Sequence, residues 1–268
     1  MVAARVAATM FAAALLVAGC GGDEREDVES YIREANMLQQ ELLIPLTQAS
    51  AAYRGFSTSE AELVKLRPKL IEAEASVRLL DRRVAELRPP ADARKLHDRM
   101  RELTAAQVAL ADELERTSAY LPAYLAALRP LGAAEQALRS ELRAARSPRD
   151  QANAIHRFEA AVAEVLRRLR GLDAPQLAGG EQATQTKTLE ELAASAADLA
   201  RAIESGEPAA KILRLVQQFA NAPLAGQSAA AQRARIAAVK GYNARVERVS
   251  TIAQGVRQER RRLEDSLG

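Results

Sequence analysis

No tryptophan occurs in the chain, and its 268 residues include only four Phe, five Tyr, two His and one Cys. A single cysteine excludes a disulfide framework within the chain, and with two histidines it excludes a Cys/His zinc site. Thirteen Gly and ten Pro are too few for the closely spaced turns of a β-sandwich. A large excess of one charge is missing too: 38 Lys and Arg face 35 Asp and Glu, a net of +3. With Leu, Val and Ile recurring regularly, that balance excludes a disordered chain. Signatures of familiar chemistry are absent as well. No His-x₃-His, His-Glu-x₂-His, Gly-x-Ser-x-Gly, Cys-x-x-Cys-His or Glu-x-x-His spacing occurs, and no glycine-rich phosphate loop follows a strand. Neither a metal nor a cofactor is called for.

What is present is an apolar residue every three or four positions. The chain is 48% hydrophobic, much of it Ala, and the larger side chains fall into seams. One seam is Leu63, Leu66, Leu70, Ala73, Val77, Leu80, Val84 and Leu87; another is Leu96, Met100, Leu103, Gln107, Leu110, Leu114, Thr117 and Leu121. A third is Ile155, Phe158, Val162, Val165, Leu169 and Leu172; the last is Val239, Tyr242, Val246, Val249, Ala253, Val256, Arg260, Leu263 and Leu267. This period places each set along one narrow stripe of a helix, as in antiparallel bundles. The expected fold is all-α, an elongated antiparallel bundle of about six or seven helices. Ser59 with Glu62 has capping-box spacing, and Ser147 before Pro148 is an N-cap with proline in the first turn. Pro89-Pro90 must end a helix. Ala178-Gly179-Gly180 and Gly206-Glu207-Pro208 are expected breaks, and Pro45, Pro68, Pro122 and Pro130 are expected kinks or breaks.

A shift of 85 residues superimposes part of the chain on itself. Pro45-Leu46 falls on Pro130-Leu131, Glu74-Ala75 on Glu159-Ala160, Arg82-Arg83 on Arg167-Arg168, Pro90 on Pro175 and Leu114 on Leu199. Roughly a quarter of the ungapped positions agree, about three times what chance gives at this composition. The seam from Leu70 to Leu87 lands on the seam from Ile155 to Leu172. The expected organisation is one helical domain, 28–268, with repeat units at about 28–112 and 113–205. A partial third unit, 206–268, opens near Pro223-Leu224.

The first residues carry an address. Arg5 is the only charge in the first 22 residues, ahead of an apolar run from Val6 to Ala18 that is too short to span a bilayer comfortably. Val17-Ala18-Gly19-Cys20 resembles the lipobox of bacterial lipoprotein precursors. That resemblance implies a signal peptide over 1–19, cleavage before Cys20 and a diacylglycerol thioether on its sulfur. Two acyl chains give stable anchoring. Residues 20–27 (Gly21-Gly22-Asp23-Glu24-Arg25-Glu26-Asp27 after the lipidated cysteine) are expected to form a flexible tether. The implied location is exported, on the outer face of the bacterial cell membrane. High Ala and an excess of Arg over Lys make the chain similar to helical lipoproteins of GC-rich bacteria, a likeness that carries no activity.

Among polar residues, His97 and His156 lack convergent partners and are expected to pack between helices or face solvent, Asp92 standing five residues from His97. The charge feature is the last helix. From Arg233 to Arg262, nine positive side chains oppose Glu247 and Glu259, a local net of +7. Arg233, Arg235, Lys240, Arg245, Arg248, Arg257 and Arg261 are the candidate surface for an anionic partner: lipid headgroups, an envelope polymer or an acidic protein. The alternative role for the same residues is a solvated face whose Arg stems cover the seam. Nucleic acid is excluded as a partner by export and by too few aromatics for base stacking. The expected function is therefore a non-catalytic binding or scaffolding module. The rival is a small-ligand carrier or an enzyme with a site inside the bundle, for which Ala73, Gln107 and Ala253 mark thin layers.

Overall fold

The structure is a computed structural model that describes residues 25–38, 40, 60–221 and 229–267. Every regular element among these residues is helical. The first, α1, covers 25–38. It is followed by α2 (Glu60–Glu86), a single 3-10 turn (Ala91–Ala93), α3 (Arg94–Ala144) and α4 (Pro148–Arg170). Then come α5 (Gln176–Glu204), α6 (Ala209–Asn221) and α7 (Ala229–Leu267). The all-α bundle expected from the seams is what the chain forms. Residues 25–27, expected in the tether, are already helical.

The 51-residue α3 is the spine, about 76 Å long at 1.5 Å per residue. α2 turns back along its first half. Leu80, Val84 and Leu87 meet Ala93 and Leu96 at the turn, together with Val28, Tyr31, Ile32 and Leu38 of α1. Further along the same hairpin, Leu66 and Leu70 pack on Leu110 and Leu114. α4 and α5 cover the second half. Tyr120, Tyr124, Ala127, Leu131 and Leu138 of α3 pack with Ile155, Phe158, Val162, Val165 and Leu169 of α4 and with Leu189, Leu192, Ala196 and Leu199 of α5. α6 lays Ile212, Leu215 and Phe219 on this cluster, and Phe219 meets Phe158 edge-on at 5.7 Å. α7 runs past both halves. Tyr242, Val246 and Val249 join the middle cluster, and Val256, Leu263 and Leu267 join the one around α1.

Capping chemistry fixes several ends. Ser147 accepts a hydrogen bond from the Asp150 amide and stands before Pro148, a standard N-cap followed by proline at N1. α2 stops at Glu86, just before Pro89-Pro90. Gly206 has φ of 65°, the left-handed conformation that suits glycine, and reverses the chain between α5 and α6.

Three expected interruptions are absent. α2 continues through Pro68, and α3 continues through Pro122 and Pro130. Pro68 is exposed and the other two are half-exposed. None of the three rings is therefore buried in the core, and each helix carries the loss of one hydrogen bond among many. α5 also runs through Gly179 and Gly180. Its start is set earlier by Pro175, which is extended at φ −63° and ψ 161°. Two glycines cost only about 1 kcal/mol each in a helix, less than the burial of Leu189, Leu192 and Leu199 returns. The actual break lies at Gly171–Ala174. Ser59, Pro45-Leu46, Pro223-Leu224 and the side chain of Leu63 lie outside the described residues.

Candidate functional site

The seven basic residues singled out on the last helix do not act as one surface. On α7, Arg235 reaches Glu181 of α5 at 2.9 Å, and Arg245 turns inward to Gln176 of α5 and to the Gly241 carbonyl. These two hold α7 against α5. Gly241 lies beside α5 there: a Cβ on it would stand 3.6 Å from the Leu177 side chain, in ordinary contact. Arg261 is exposed and has its own interactions. Arg257 is half-exposed. Arg233, Lys240 and Arg248 are exposed and make no ion pair among the described residues. Their spacings of seven and eight place them along one side of the helix, each about two turns from the next.

The same stretch carries an unexpected apolar element. Val239, assigned above to the buried seam, is 58% exposed, and Ile236 is 49% exposed. Here α7 rests on α5 through small residues, Ala231 and Gly241, and a side chain two or three positions away from that contact is turned outward. The seam holds from Tyr242 onward, where α7 packs on α2 and α3. Arg260, in a seam position, is accommodated by pairing: it donates to Asn36 of α1 at 3.1 Å and lies 3.5 Å from Glu264. Glu259 is buried between Lys95 of α3 at 2.8 Å and Arg262 at 2.7 Å. Lys95 and then Arg262 hold its carboxyl below the usual range.

The histidines fill two different niches. His97 packs between helices, with the Tyr31 hydroxyl 3.1 Å from its Nδ1. Burial lowers its pKa, which favours the neutral ring, and the ring shares this hydrogen bond with Tyr31, whose own pKa burial and then Glu34 push up to about 12. His156 lies on the surface with Nδ1 3.1 Å from Glu159 and Nε2 3.1 Å from Glu204. Both ring nitrogens must donate to serve two carboxylates, which is the imidazolium form. The Glu159 hydrogen bond is the main cause of its raised pKa. Sequence spacing suggested His156 as a packing or surface residue; its link to Glu204, 48 residues away, is a tertiary contact that no local pattern contains.

Two buried polar devices also escaped the sequence reading. Glu113 of α3 accepts from the Leu177 amide at 2.6 Å, satisfying a free N–H in the first turn of α5. Gln182 donates to the Leu169 and Leu172 carbonyls at the end of α4 while accepting from Tyr120 at 3.2 Å. Both serve helix ends. No periodicity distinguishes them from other Glu and Gln residues.

Of the layers marked for an internal site, Ala73 is buried, while Gln107 and Ala253 are half-buried. The Gln107 Oε1 is shielded from solvent and has no hydrogen-bond partner. A surface concavity of about 420 Å³ lies instead at the far end of α3, lined by the exposed Gln136, Arg139, Ser140, Arg143 and Ala144. Among the described residues, no three His, Cys, Asp or Glu side chains converge as a metal site, and no helix is long and apolar enough to cross a membrane. Val17, Ala18, Gly19 and Cys20 lie outside the described residues. No known protein family, curated protein or solved structure matches the chain.

Proposed function

We propose that the chain is a lipid-anchored protein of the bacterial envelope, a non-catalytic binding or scaffolding module that engages an anionic partner through its last helix. The observation carrying the binding role is that Arg233, Lys240 and Arg248 are exposed on one side of α7 without an ion-pair partner among the described residues. Many exposed cations elsewhere meet carboxylates at short range, as in Arg78 with Glu74 and Asp112, or Arg167 and Arg168 with Glu164. Others, such as Arg82, Arg88 and Arg94, do not among the described residues. What sets this stretch of α7 apart is that Glu247 is its only acidic residue between 229 and 250. Cations left unmatched on one stripe provide a positive field for a ligand of opposite charge. The anchor rests on Val17-Ala18-Gly19-Cys20 and the short apolar run before it.

The bundle is further proposed to descend from a duplicated helical hairpin. Two correspondences support this at the 85-residue offset. Pro90 and Pro175 both stand extended before a helix, and each accepts from the amide three residues on at 3.0 Å. His97 and Gln182, also equivalent under the offset, each take a tyrosine hydroxyl, from Tyr31 and Tyr120.

The test is location and partner capture in a producing bacterium. After a high-salt wash that strips electrostatically bound protein, Cys20→Ala should be lost from the membrane pellet that retains the unaltered protein; an unchanged washed pellet overturns the anchor. Arg233→Glu, Lys240→Glu and Arg248→Glu together should abolish crosslinks formed from α7 while leaving the protein at the membrane. Undiminished crosslinks contradict the binding face.

A further inference from the structure

We infer that the N-terminal half of α7 docks on an anionic lipid surface, with Ile236 and Val239 entering the headgroup boundary, Arg233 and Lys240 beside them on the phosphates, and Arg248 further round the helix adding to the positive field. This rests on the reading of α7 as the binding face, and it names the ligand. The argument begins with what is exposed. Ile236 and Val239 are β-branched aliphatics, 49% and 58% accessible, on a helix whose own seam packs elsewhere. Ile236 follows Arg233 by three residues and precedes Lys240 by four, so on a helix these three side chains are immediate neighbours. Val239 follows Ile236 by three and extends the apolar strip.

Charge complementarity selects the occupant. Between 229 and 250 the only acidic residue is Glu247, against five basic ones. Of those five, Arg235 and Arg245 are committed to α5. Arg233, Lys240 and Arg248 point away from that contact and span about 22 Å of helix. An acidic protein or polymer would satisfy the cations and leave Ile236 and Val239 wet. A bilayer surface satisfies both, since cations reach phosphate while aliphatic side chains enter the acyl boundary beneath them. Gln232, Asn243 and Ala244, exposed on the same side, are small or neutral, and the one acid there, the exposed Glu247, still leaves the stretch with a net positive charge. Orientation fits as well, because α7 runs lengthwise beside α3 and α5. A bundle lying down presents this side over its length, with α1 at the end where α7 finishes.

The chain contains one cysteine, so Cys20→Ala gives a lipid-free, thiol-free background. A single Val239→Cys in that chain, labelled with an environment-sensitive fluorophore, should shift to the blue on phosphatidylglycerol–phosphatidylcholine vesicles and stay unshifted on pure phosphatidylcholine. A label at Lys187→Cys, exposed on α5, controls for contributions from the apolar N-terminal run and should not shift. Adding Arg233→Glu, Lys240→Glu and Arg248→Glu should weaken vesicle binding by at least roughly a hundredfold, since loss of each basic residue near an anionic surface removes about a fivefold factor and each Glu adds repulsion. The three sites are exposed, so circular dichroism should be unchanged. No shift at 239, or an equal shift on both lipids, overturns the inference. If the labelled chain binds polyglutamate but not anionic vesicles, the lipid assignment fails and the anionic-partner reading of α7 stands. If it binds neither, both fail.

Discussion

Leu169 has no exposed surface and stands where α4 meets α3 and α5. Truncating it leaves a cavity that three helices cannot close together, so Leu169→Ala should cost about 3 kcal/mol in urea unfolding. Leu213 is 59% exposed on α6, and Leu213→Ala should change stability by less than about 0.5 kcal/mol. A similar cost at both sites would contradict the packing. The histidines give a second contrast at this scale. His156 should titrate above 6.5 because Glu159 and Glu204 hold its charged form, and His97 below 6.5 because burial disfavours its charge. A raised pKa in the fold means that the His156 contribution is full below 6.5 and is lost as pH rises through the raised value. A depressed pKa means that the His97 contribution is present above 6.5 and is lost as pH falls through the lowered value. Ring-proton NMR of the two histidines checks both directions. Glu204→Gln should bring His156 down and leave His97 unmoved; His97 titrating above His156 would refute the assignment.

At the scale of elements, α5 offers the sharpest test. Gly180 is exposed in its first turns and a Cβ there meets nothing within 4 Å, so Gly180→Ala should stabilise the protein by about 1 kcal/mol in thermal or urea unfolding. Gly206 is the opposite case. Its φ of 65° makes Gly206→Ala destabilising by about 1 kcal/mol, although space is equally open. Equal effects at the two sites would show that α5 does not pass through Gly180. These two glycines also mark how far the elements were legible. The seams of α2 and α4 could be read because large aliphatics repeat every three or four residues with charged residues between them. The continuity of α3 could not, because tolerance of Pro122 and Pro130 depends on which side of the helix each proline faces. Likewise, Gly179-Gly180 resembles a break in composition, while the start of α5 is set by Pro175 and by a carboxylate from another helix, Glu113. The candidate site shows the same division. The excess of Arg on α7 was plain, but whether each Arg is free or, like Arg235 and Arg245, bound to α5 depends on a neighbour far away in the chain.

For the whole molecule, length and burial are linked. A 51-residue spine with hairpins on each half distributes a small aromatic content over many thin layers, and α7 fastens the halves together. Its ties are to α5 through Arg235, to α3 through Glu259 and to α1 through Arg260. A helix fastened along one side is free to offer the other. The lone cysteine, which at first only excluded disulfides, is in the proposed reading the point at which this assembly is held to the envelope. The direct measurement is mass spectrometry of the N-terminal peptide of the protein recovered from bacterial membranes. The account predicts a chain that begins at Cys20, carries diacylglycerol on its sulfur and lacks residues 1–19. A chain that retains those residues, begins at another position or bears an unmodified Cys20 thiol would contradict it.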